Sequence, residues 1–419
     1  MLAGLDARLP ELRARYEDLH AHPELSFQEF RTASIVAADL KQQGWDVTEG
    51  VGGTGVVGVL ANGAGPVVLL RADMDALPVA EETGLRYAST AIGTDAEGNQ
   101  VPVMHACGHD MHVTCLLGAT GQLAATRESW CGTVVAVFQP AEEIGGAPAM
   151  IADGFLDRFP RAEVCLGQHV QSAPVGMLGT RAGAVMAASD SLRIRLFGRG
   201  GHGARPDLTV DPVVMAAAIV LRLQTIVARE VSPTDPAVVT VGSIHGGSKE
   251  NIIPDTVDLQ VSVRSMNPVV RERVLSSIER IVRSEAAASG AERTPEITPV
   301  YSLPMTVNDI DTTLTVLGAL TETFGADRVL TLPRPFTGGE DFSTFGTALG
   351  VPSVFWYFGG TDPAQFEGVD MKSVLENGLP DHIPANHSPR YAPLPDPTIR
   401  IGTIALLAAA APWLREIRR

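Results

Sequence analysis

The sequence predicts an α/β fold in which a mixed, mostly parallel sheet flanked by helices is interrupted by a ferredoxin-like βαββαβ satellite domain. Three short apolar runs, at 67–70, 133–138 and 164–167, end in polar groups and lie among helical patterns, as buried parallel strands do. From residue 189 onward the strands alternate apolar and polar residues instead. A segment of roughly 110 residues then follows the order strand, helix, strand, strand, helix, strand, which is typical of a ferredoxin-like sandwich.

Hydrophobic periodicity predicts the remaining elements in chain order. The larger domain begins with helical patterns at 5–43 and 112–127, and with strands at 56–60, 67–70, 133–138 and 164–167. The satellite domain follows, with strands at 191–197, 238–244, 257–264 and 295–301, and helices at 211–230 and 268–288. The α/β pattern resumes after residue 304, with a buried strand at 351–358 and a buried helix at 401–414.

These pattern changes set the expected domain boundaries. A chain of 419 residues is long enough for two or three domains. We expect residues 1–184 and 304–419 to form the two parts of one domain, and residues 185–303 to form the satellite.

Composition and charge exclude several classes of protein. The chain has 32 basic and 48 acidic residues, a net charge of −16, which disfavours binding to nucleic acid or to an anionic membrane surface. The N-terminus lacks the apolar core of a signal peptide, and the longest apolar run, 401–414, is too short to span a bilayer. The four cysteines do not suggest a disulfide framework, so we expect a cytoplasmic protein.

A thiol and an imidazole lie two residues apart at Cys107 and His109, in the segment HACGHDMH. Such a pair in a glycine-containing turn can bind one metal ion or two adjacent ions. A buried thiol beside structural histidines is the alternative for this segment taken alone. Glu142 and Glu143 follow the strand at 133–138, and adjacent carboxylates point in different directions, so one can bind metal while the other acts as a base. A solvated acidic loop is the alternative for this pair taken alone.

With His169 and His387, the predicted ligand set contains five side chains. Five ligands exceed what one zinc ion normally takes but suit two ions about 3.5–4 Å apart that share a water molecule. In that arrangement Glu142 removes the proton of the water and carries it to the leaving nitrogen. Asp73 and Asp75 end a strand and are expected to orient a histidine ligand, or else to make local hydrogen bonds in their own turn. Of the two, Asp75 is predicted to belong to the catalytic residues. The predicted ligands are Cys107, His109, Glu143, His169 and His387.

Six ordered motifs, together with HPELSFQE at 22–29, resemble the M20 metallopeptidase family and most closely its amidohydrolase branch. That branch contains hippurate hydrolases, N-acyl-amino-acid amidohydrolases and indoleacetyl-amino-acid hydrolases. The resemblance implies a di-metal catalytic domain interrupted by a lid domain that usually dimerises. It covers nearly the whole chain, and its motifs are RADMDALP, HACGHD, FQPAEE, GRGGHGARP, GGED and NHSP.

The resemblance also implies roles for individual residues. It places the metal ligands on the five side chains named above and the general base on Glu142. His202, in GRGGHGARP, would reach across a dimer to steady the oxyanion in the partner's active site. Asn251 and Arg264 resemble substrate contacts, although a structural ion pair is the alternative for Arg264. Gly339 belongs to the GGED loop, which would line the substrate pocket, unless its carboxylates only cap a helix.

One motif of this chain differs from that of the peptidase branches of the family. Peptidase branches carry a His-x-Asp metal motif, whereas this chain has Asp73-Met-Asp75, which favours the amidohydrolase branch. The sequence therefore predicts a metal-dependent amidohydrolase of the aminoacylase or hippurate hydrolase type, in which metal-bound hydroxide attacks the amide of an N-acyl or N-aroyl amino acid. The expected ions are zinc, manganese, cobalt or nickel, and the expected assembly is a homodimer or a larger homo-oligomer. The alternatives are a dipeptidase, a diaminopimelate-pathway deacylase, or a metal-dependent binding protein without turnover.

Overall fold

The computed structural model describes residues 1–414, without the side chains of residues 371, 372 and 376. Its chain forms two compact units. The main unit contains Met1–Val185, Val307–Pro335 and the chain from Asp341 onward, and the satellite unit contains Met186–Thr306 and Phe336–Glu340. The short segment Phe336–Glu340 thus belongs to the satellite unit, although the sequence pattern assigned it to the larger domain.

The first part of the main unit alternates helices and strands. Its helices are α1 (Leu5–Ala21), α2 (Phe30–Gln42), α3 (His109–Ala125), α4 (Gly146–Ala152) and α5 (Phe155–Arg158). Its strands are β1 (Asp46–Val51), β2 (Gly55–Asn62), β3 (Val67–Asp73), β4 (Ile92–Thr94), β5 (Gln100–Pro102), β6 (Gly132–Gln139), β7 (Val164–Pro174), β8 (Leu178–Thr180) and, running on to the unit boundary, β9 (Gly183–Met186).

The satellite unit and the rest of the main unit complete the fold. The satellite unit contains β10 (Ala188–Phe197), β11 (Gly201–His202), α6 (Pro212–Arg229), β12 (Ala237–His245), β13 (Ile252–Ile253), β14 (Thr256–Ser265), α7 (Pro268–Ala288) and β15 (Glu296–Leu303). The chain continues through β16 (Thr306–Asn308), α8 (Ile310–Phe324), β17 (Val329–Thr331), α9 (Ser343–Leu349), β18 (Ser353–Thr361), α10 (Met371–Asn377) and α11 (Pro395–Leu414).

The central sheet of the main unit has eight strands in the order β1-β2-β6-β3-β7-β18-β8-β17. Strands β6, β3, β7 and β18 are parallel to one another, while β1 and β2 add antiparallel pairs at one edge. Helices α1, α3 and α11 contribute buried apolar residues to the same core as the sheet. This arrangement confirms the predicted mixed, mostly parallel α/β fold and brings the carboxyl ends of four parallel strands to one edge.

The satellite unit is a four-stranded antiparallel sheet in the order β12-β14-β10-β15. Helices α6 and α7 pack their apolar residues against this sheet in a core of their own. Along the chain the order is β10, α6, β12, β14, α7, β15, which is the predicted ferredoxin-like βαββαβ order.

Two helices, α6 and α11, have the length and hydropathy of a membrane span. Most of α11 is buried within the main unit, where its small and aliphatic side chains fill the core. Helix α6 buries residues at a helical spacing, from Met215 to Ile226, against the satellite sheet. Both helices therefore use apolar residues to pack against their own unit.

The continuous helical pattern predicted over 5–43 is wrong at 22–29, where the chain leaves the helix. Pro23 disfavours helical geometry at His22, and α1 ends at Ala21. Leu25 then forms a parallel bridge with Ala76, just beyond the end of β3. This break places the segment HPELSFQE beside the carboxyl end of the sheet.

Candidate metal centre

The five predicted metal ligands come together in the main unit. The ligand atoms of Cys107, His109 and His169 all lie within 4.8 Å of one another, and so do those of Cys107, Glu143 and His387. The Cys107 sulfur is 3.4 Å from Nε2 of His169 and 3.2 Å from Nε2 of His387. The structure thus forms two groups of three donors that share one sulfur atom.

Hydrogen bonds decide which ring nitrogens face this cluster. Nδ1 of His169 donates to the backbone carbonyl of Val170 at 2.7 Å, which leaves the lone pair of Nε2 directed at Cys107. Nδ1 of His109 is engaged by Asp75 at 3.1 Å, and Nε2 of His109 is buried without a hydrogen-bond partner among the described residues. Buried polar atoms normally have hydrogen-bond partners, so a buried imidazole nitrogen without one, beside a thiol, fits a metal ligand.

The donor types fit divalent metal ions. One thiol, three imidazoles and one carboxylate form the two groups, and these are the ligands that zinc and similar ions take in proteins. Hydrogen bonds to Cys107 and Glu143 raise the pKa of His387 to about 10, so this part of the cluster favours positive charge. The residues present therefore fit a binuclear metal centre.

Asp75 connects the metal cluster with the turn that follows β6. Its Oδ1 accepts hydrogen bonds from Nδ1 of His109 and, at 3.0 Å, from the backbone N–H of Glu142. Its Oδ2 accepts from the hydroxyl of Ser26 at 2.7 Å and from the N–H of Glu143 at 3.2 Å. Burial opposes ionisation, but the bonds from His109 and Ser26 outweigh it and lower the pKa of Asp75. These partners lie far away in sequence, so Asp75 does not merely form a local turn.

Asp73 has different partners from Asp75. It accepts from Nδ1 of His112 at 2.5 Å and from the guanidinium of Arg71 at 2.6 Å. Nε2 of His112 accepts the backbone N–H of Val170 at 2.8 Å, so both ring nitrogens of His112 are engaged by the protein. His112 therefore binds Asp73 and the backbone next to His169, although it shares the segment HACGHDMH with two predicted ligands.

Glu142 lies beside the predicted ligands. Its carboxylate belongs to a group with His109 and Glu143 whose ligand atoms all lie within 4.8 Å of one another. The side chain is largely buried at the end of β6, and the preceding residue, Ala141, adopts left-handed backbone geometry with φ 50° and ψ 42°. Both carboxylates therefore lie beside His109, at the start of the turn that follows Ala141.

The predicted substrate contacts belong to the satellite unit. His202 pairs with Ile252 between β11 and β13, and its Nδ1 accepts the N–H of Ala204 at 3.0 Å. Asn251 is next to this pair, and its backbone carbonyl accepts the backbone N–H of Gly203 at 2.9 Å. His202 and Asn251 are therefore neighbours on one exposed edge of the unit.

Arg264 and Gly339 form a second neighbouring pair in the satellite unit. A Cβ atom at Gly339 would lie 3.1 Å from the Arg264 guanidinium and 2.8 Å from Cβ of Ser189, so the position has no room for a side chain. Asp341, the last residue of GGED, instead belongs to the main unit. Its Oδ2 accepts the N–H of Ala147 at 2.8 Å in the first turn of α4, so this carboxylate does cap a helix.

Sequence reasoning assigned no role to Arg71, His112, Ser26 or Glu29, although all four support the cluster or the turn beside it. A signal was present for His112, which is one helical turn after His109 and so shares its face of α3. Ser26 and Glu29 lie in HPELSFQE, a segment whose contacts across the fold do not follow from its local sequence pattern.

An α/β sheet that gathers a thiol, imidazoles and carboxylates beyond its strand ends is that of a metallopeptidase-type hydrolase. A sequence model described as Peptidase family M20/M25/M40 matches residues 69–380, and the chain belongs to this family. The resemblance inferred from the motifs is thereby confirmed, and so is the enzyme class, a hydrolase of amide bonds.

Several relatives share most of their length with this chain. The hippurate hydrolase of Campylobacter jejuni is 39% identical over 332 residues, covering 78% of this chain and 82% of its own. Thermostable carboxypeptidase 1 of Saccharolobus solfataricus is 37% identical over 348 residues, covering 81% of this chain and 84% of its own. The crystal structure of the Bacillus subtilis YXEP protein, a dinuclear metal-binding peptidase of the M20 family, superposes with a TM-score of 0.70. It is 29% identical, with 97% of this chain and 99% of that chain covered.

Proposed function

We propose that the protein is a metal-dependent amidohydrolase that cleaves the amide of N-acyl or N-aroyl amino acids and releases a carboxylic acid and an amino acid. The observation that carries the proposal is the pair of donor groups sharing Cys107, with the Glu142 carboxylate beside them. The similarity to a hippurate hydrolase over most of both chains supports the substrate class.

The cluster would hold two divalent ions. Cys107, His109 and His169 would bind one ion, and Cys107, Glu143 and His387 would bind the other. When bound, such ions lower the pKa of a water molecule and polarise the carbonyl of the substrate. Zinc, manganese, cobalt and nickel all accept these donors, with the thiol favouring the softer ions.

Glu142 is the proposed general base and acid. It takes a proton from the attacking water and delivers it to the nitrogen of the departing amino acid. Glu142 is buried near His109, and its backbone N–H donates to Asp75. These contacts keep its carboxylate beside His109 and Glu143, which belong to different donor groups. Asp75 positions both His109 and the turn that carries Glu142.

The satellite unit would provide substrate recognition. Arg264 suits the carboxylate of an amino-acid substrate, because its guanidinium can bind both oxygens, and a side chain at position 339 would crowd that guanidinium. Asn251 and His202 would contact the scissile amide, with His202 acting in the partner's site of a homodimer.

Two features of the satellite unit support the dimer. Helix α6 leaves Val214 and Leu221, seven residues apart on one face, 66% and 74% exposed. Strand β12 is at the edge of the satellite sheet, so one side of its backbone is available for pairing.

A cytoplasmic location is supported by four cysteines that form no disulfide in the described chain.

A second candidate function is the hydrolysis of peptides. It is favoured by the similarity to a thermostable carboxypeptidase, which covers 81% of this chain, compared with 78% for the hippurate hydrolase. Both substrate classes carry a free carboxylate next to the amide, so the same Arg264 would serve either. The two differ on the acyl side, where a dipeptide has an ammonium group.

A substrate panel distinguishes the candidates. The purified enzyme, loaded separately with zinc, manganese, cobalt or nickel, is assayed on N-benzoylglycine, N-acetylmethionine and alanylmethionine. The proposal predicts kcat/KM at least tenfold higher for the N-acyl compounds than for the dipeptide. A preference for the dipeptide would replace it with the peptidase function, and no turnover with any ion would indicate a binding protein.

A further inference from the structure

The turn that carries Glu142 and Glu143 is unusually constrained. The backbone carbonyl of Ala141 accepts hydrogen bonds from the N–H groups of Ile144, at 3.2 Å, and Gly146, at 2.8 Å. Ala141 is fully buried in the left-handed region, which L-amino acids other than glycine rarely adopt. Such a conformation persists only where the surrounding structure holds it in place.

Two buried carboxylates bind three successive N–H groups of this turn. Asp75 accepts from Glu142 and Glu143, as described above. Oε1 of Glu29 accepts the N–H of Ala141 at 2.8 Å. The turn is therefore held from outside at every residue from Ala141 to Glu143.

Glu29 has no role in capping its own helix. It directly precedes α2, yet its side chain makes no capping bond, and the N–H groups of Arg31 and Thr32 are accepted by Glu24 instead. Glu29 is fully buried, and burial together with the nearby charge of Asp75 raises its pKa to about 7. A buried carboxylate is unfavourable unless its bonds serve the fold or the site.

The Glu29 carboxylate joins its own segment to two distant pieces of chain, at Thr54 and Ala141. Its Oε1 also accepts the N–H of Phe27 at 3.0 Å, and its Oε2 accepts the hydroxyl of Thr54. Besides His387, Phe27 and Ala141 are the non-glycine residues with positive φ in the described chain, at 60° and 50°. One carboxylate oxygen thus binds the N–H groups of two residues in left-handed geometry.

We propose that Glu29 is a positioning residue. Its carboxylate holds Ala141 in the left-handed conformation and thereby orients the side chains of Glu142 and Glu143. The proposal rests on the general-base function proposed for Glu142. The hydrogen bonds of its carboxylate go to Phe27, Thr54 and Ala141, none of which is a proposed metal ligand, and the bond to Ala141 links it to the turn that carries Glu142.

The test compares Glu29 with a matched carboxylate in the same segment. Glu29→Ala should lower kcat by about 100-fold with KM within threefold of the parent, because small misplacements of a catalytic group have effects of this size. Glu29→Gln should stay within about fivefold, because its amide oxygen can accept both N–H groups and its NH2 can donate to Thr54. Glu24→Ala, which removes the acceptor of two helix N–H groups, should lower the melting temperature and leave kcat within about twofold.

A second measurement needs neither metal nor substrate. In the metal-free protein, amide hydrogen exchange of residues 139–147 should be at least tenfold faster in Glu29→Ala than in the parent or in Glu24→Ala. If Glu29→Ala does not fold, Glu29→Asp, which is one methylene too short to reach Ala141, should show the same exchange and kcat changes.

Each outcome bears on the proposal. Parent-like exchange and kcat in Glu29→Ala or Glu29→Asp would overturn it, and so would an equal loss of kcat in Glu24→Ala. If the parent hydrolyses none of the panel substrates, the proposed function fails, while the exchange measurement still decides whether Glu29 holds the turn.

Discussion

Nδ1 of His109 donates a hydrogen bond to Oδ1 of Asp75 at 3.1 Å, and this bond sets which nitrogen of the ring can bind metal. Because the pKa of Asp75 is lowered, its carboxylate holds a proton on Nδ1, so Nε2, next to Cys107 and His169, is the ring nitrogen that can bind metal. The same carboxylate holds the N–H groups of Glu142 and Glu143. Asp75 therefore couples the orientation of a ligand to that of the base.

Replacing Asp75 should weaken metal binding. Asp75→Asn cannot accept from all four donors that the carboxylate serves, so we expect a 10- to 100-fold loss of metal affinity. Competition with a chromophoric chelator measures this affinity directly. Asp309→Asn, which alters an exposed helix cap in the same unit, should bind metal like the parent. Unchanged affinity in Asp75→Asn would show that Asp75 does not orient a ligand.

Replacing Glu142 should separate metal binding from turnover. Glu142→Gln keeps the shape of the side chain but cannot take a proton, so we expect kcat to fall by about 10²- to 10⁴-fold with metal content unchanged. Steady-state kinetics and elemental analysis of the same sample make the comparison. Glu143→Gln should instead reduce the metal content. Hydrolysis by Glu142→Gln at near-parent rates would exclude Glu142 as the base.

The proposed dimer predicts complementation between two inactive variants. A 1:1 mixture of His202→Ala and Glu142→Gln should recover about one quarter of parent activity, because half of randomly mixed dimers carry one complete site. Leu221→Asp should give a monomer in light scattering, whereas Leu314→Asp, exposed on α8 of the main unit, should not. Confirmed heterodimers without recovered activity would argue against the function of His202 in the partner's site.

The stability of the protein should depend on His20 at alkaline pH. The ring of His20 is buried between Oδ2 of Asp110, at 2.6 Å, and Oε1 of Glu81, at 3.1 Å. Burial opposes the charge, but hydrogen bonds and charges from Asp110 and Glu81 outweigh it and raise the pKa of His20 to about 10.

The sign of the effect follows from this shift. Since the pKa of an unfolded histidine is about 6.5, the stabilisation is complete below that pH and is lost as the pH rises to about 10. We expect the free energy of unfolding to fall by a few kcal/mol across that interval in the parent and to change less in His20→Gln. Urea unfolding at several pH values checks this, and equal slopes for both proteins would contradict the ionised state of His20.

Motif types and their order predicted the family and the fold class, because strand periodicity and the residues at strand ends are local properties of the sequence. The same reasoning listed Cys107, His109, Glu143, His169 and His387, which the fold brings together. It placed Asp75 among the catalytic residues, yet it gave Asp73 and Asp75 the same expected role, because both end the same strand. Their partners, Arg71 and His112 for one and His109 and Ser26 for the other, are chosen by packing.

The amino-acid sequence by itself determined the kinds of chemical groups available and the family to which the chain belongs. Only the tertiary structure decided that one sulfur is shared between two donor groups, and that Glu29 meets Ala141 across 112 positions of sequence. The physical reason is that hydrogen bonds between distant segments depend on the three-dimensional placement of strand ends and turns. Local propensity and hydrophobic periodicity do not predict that placement.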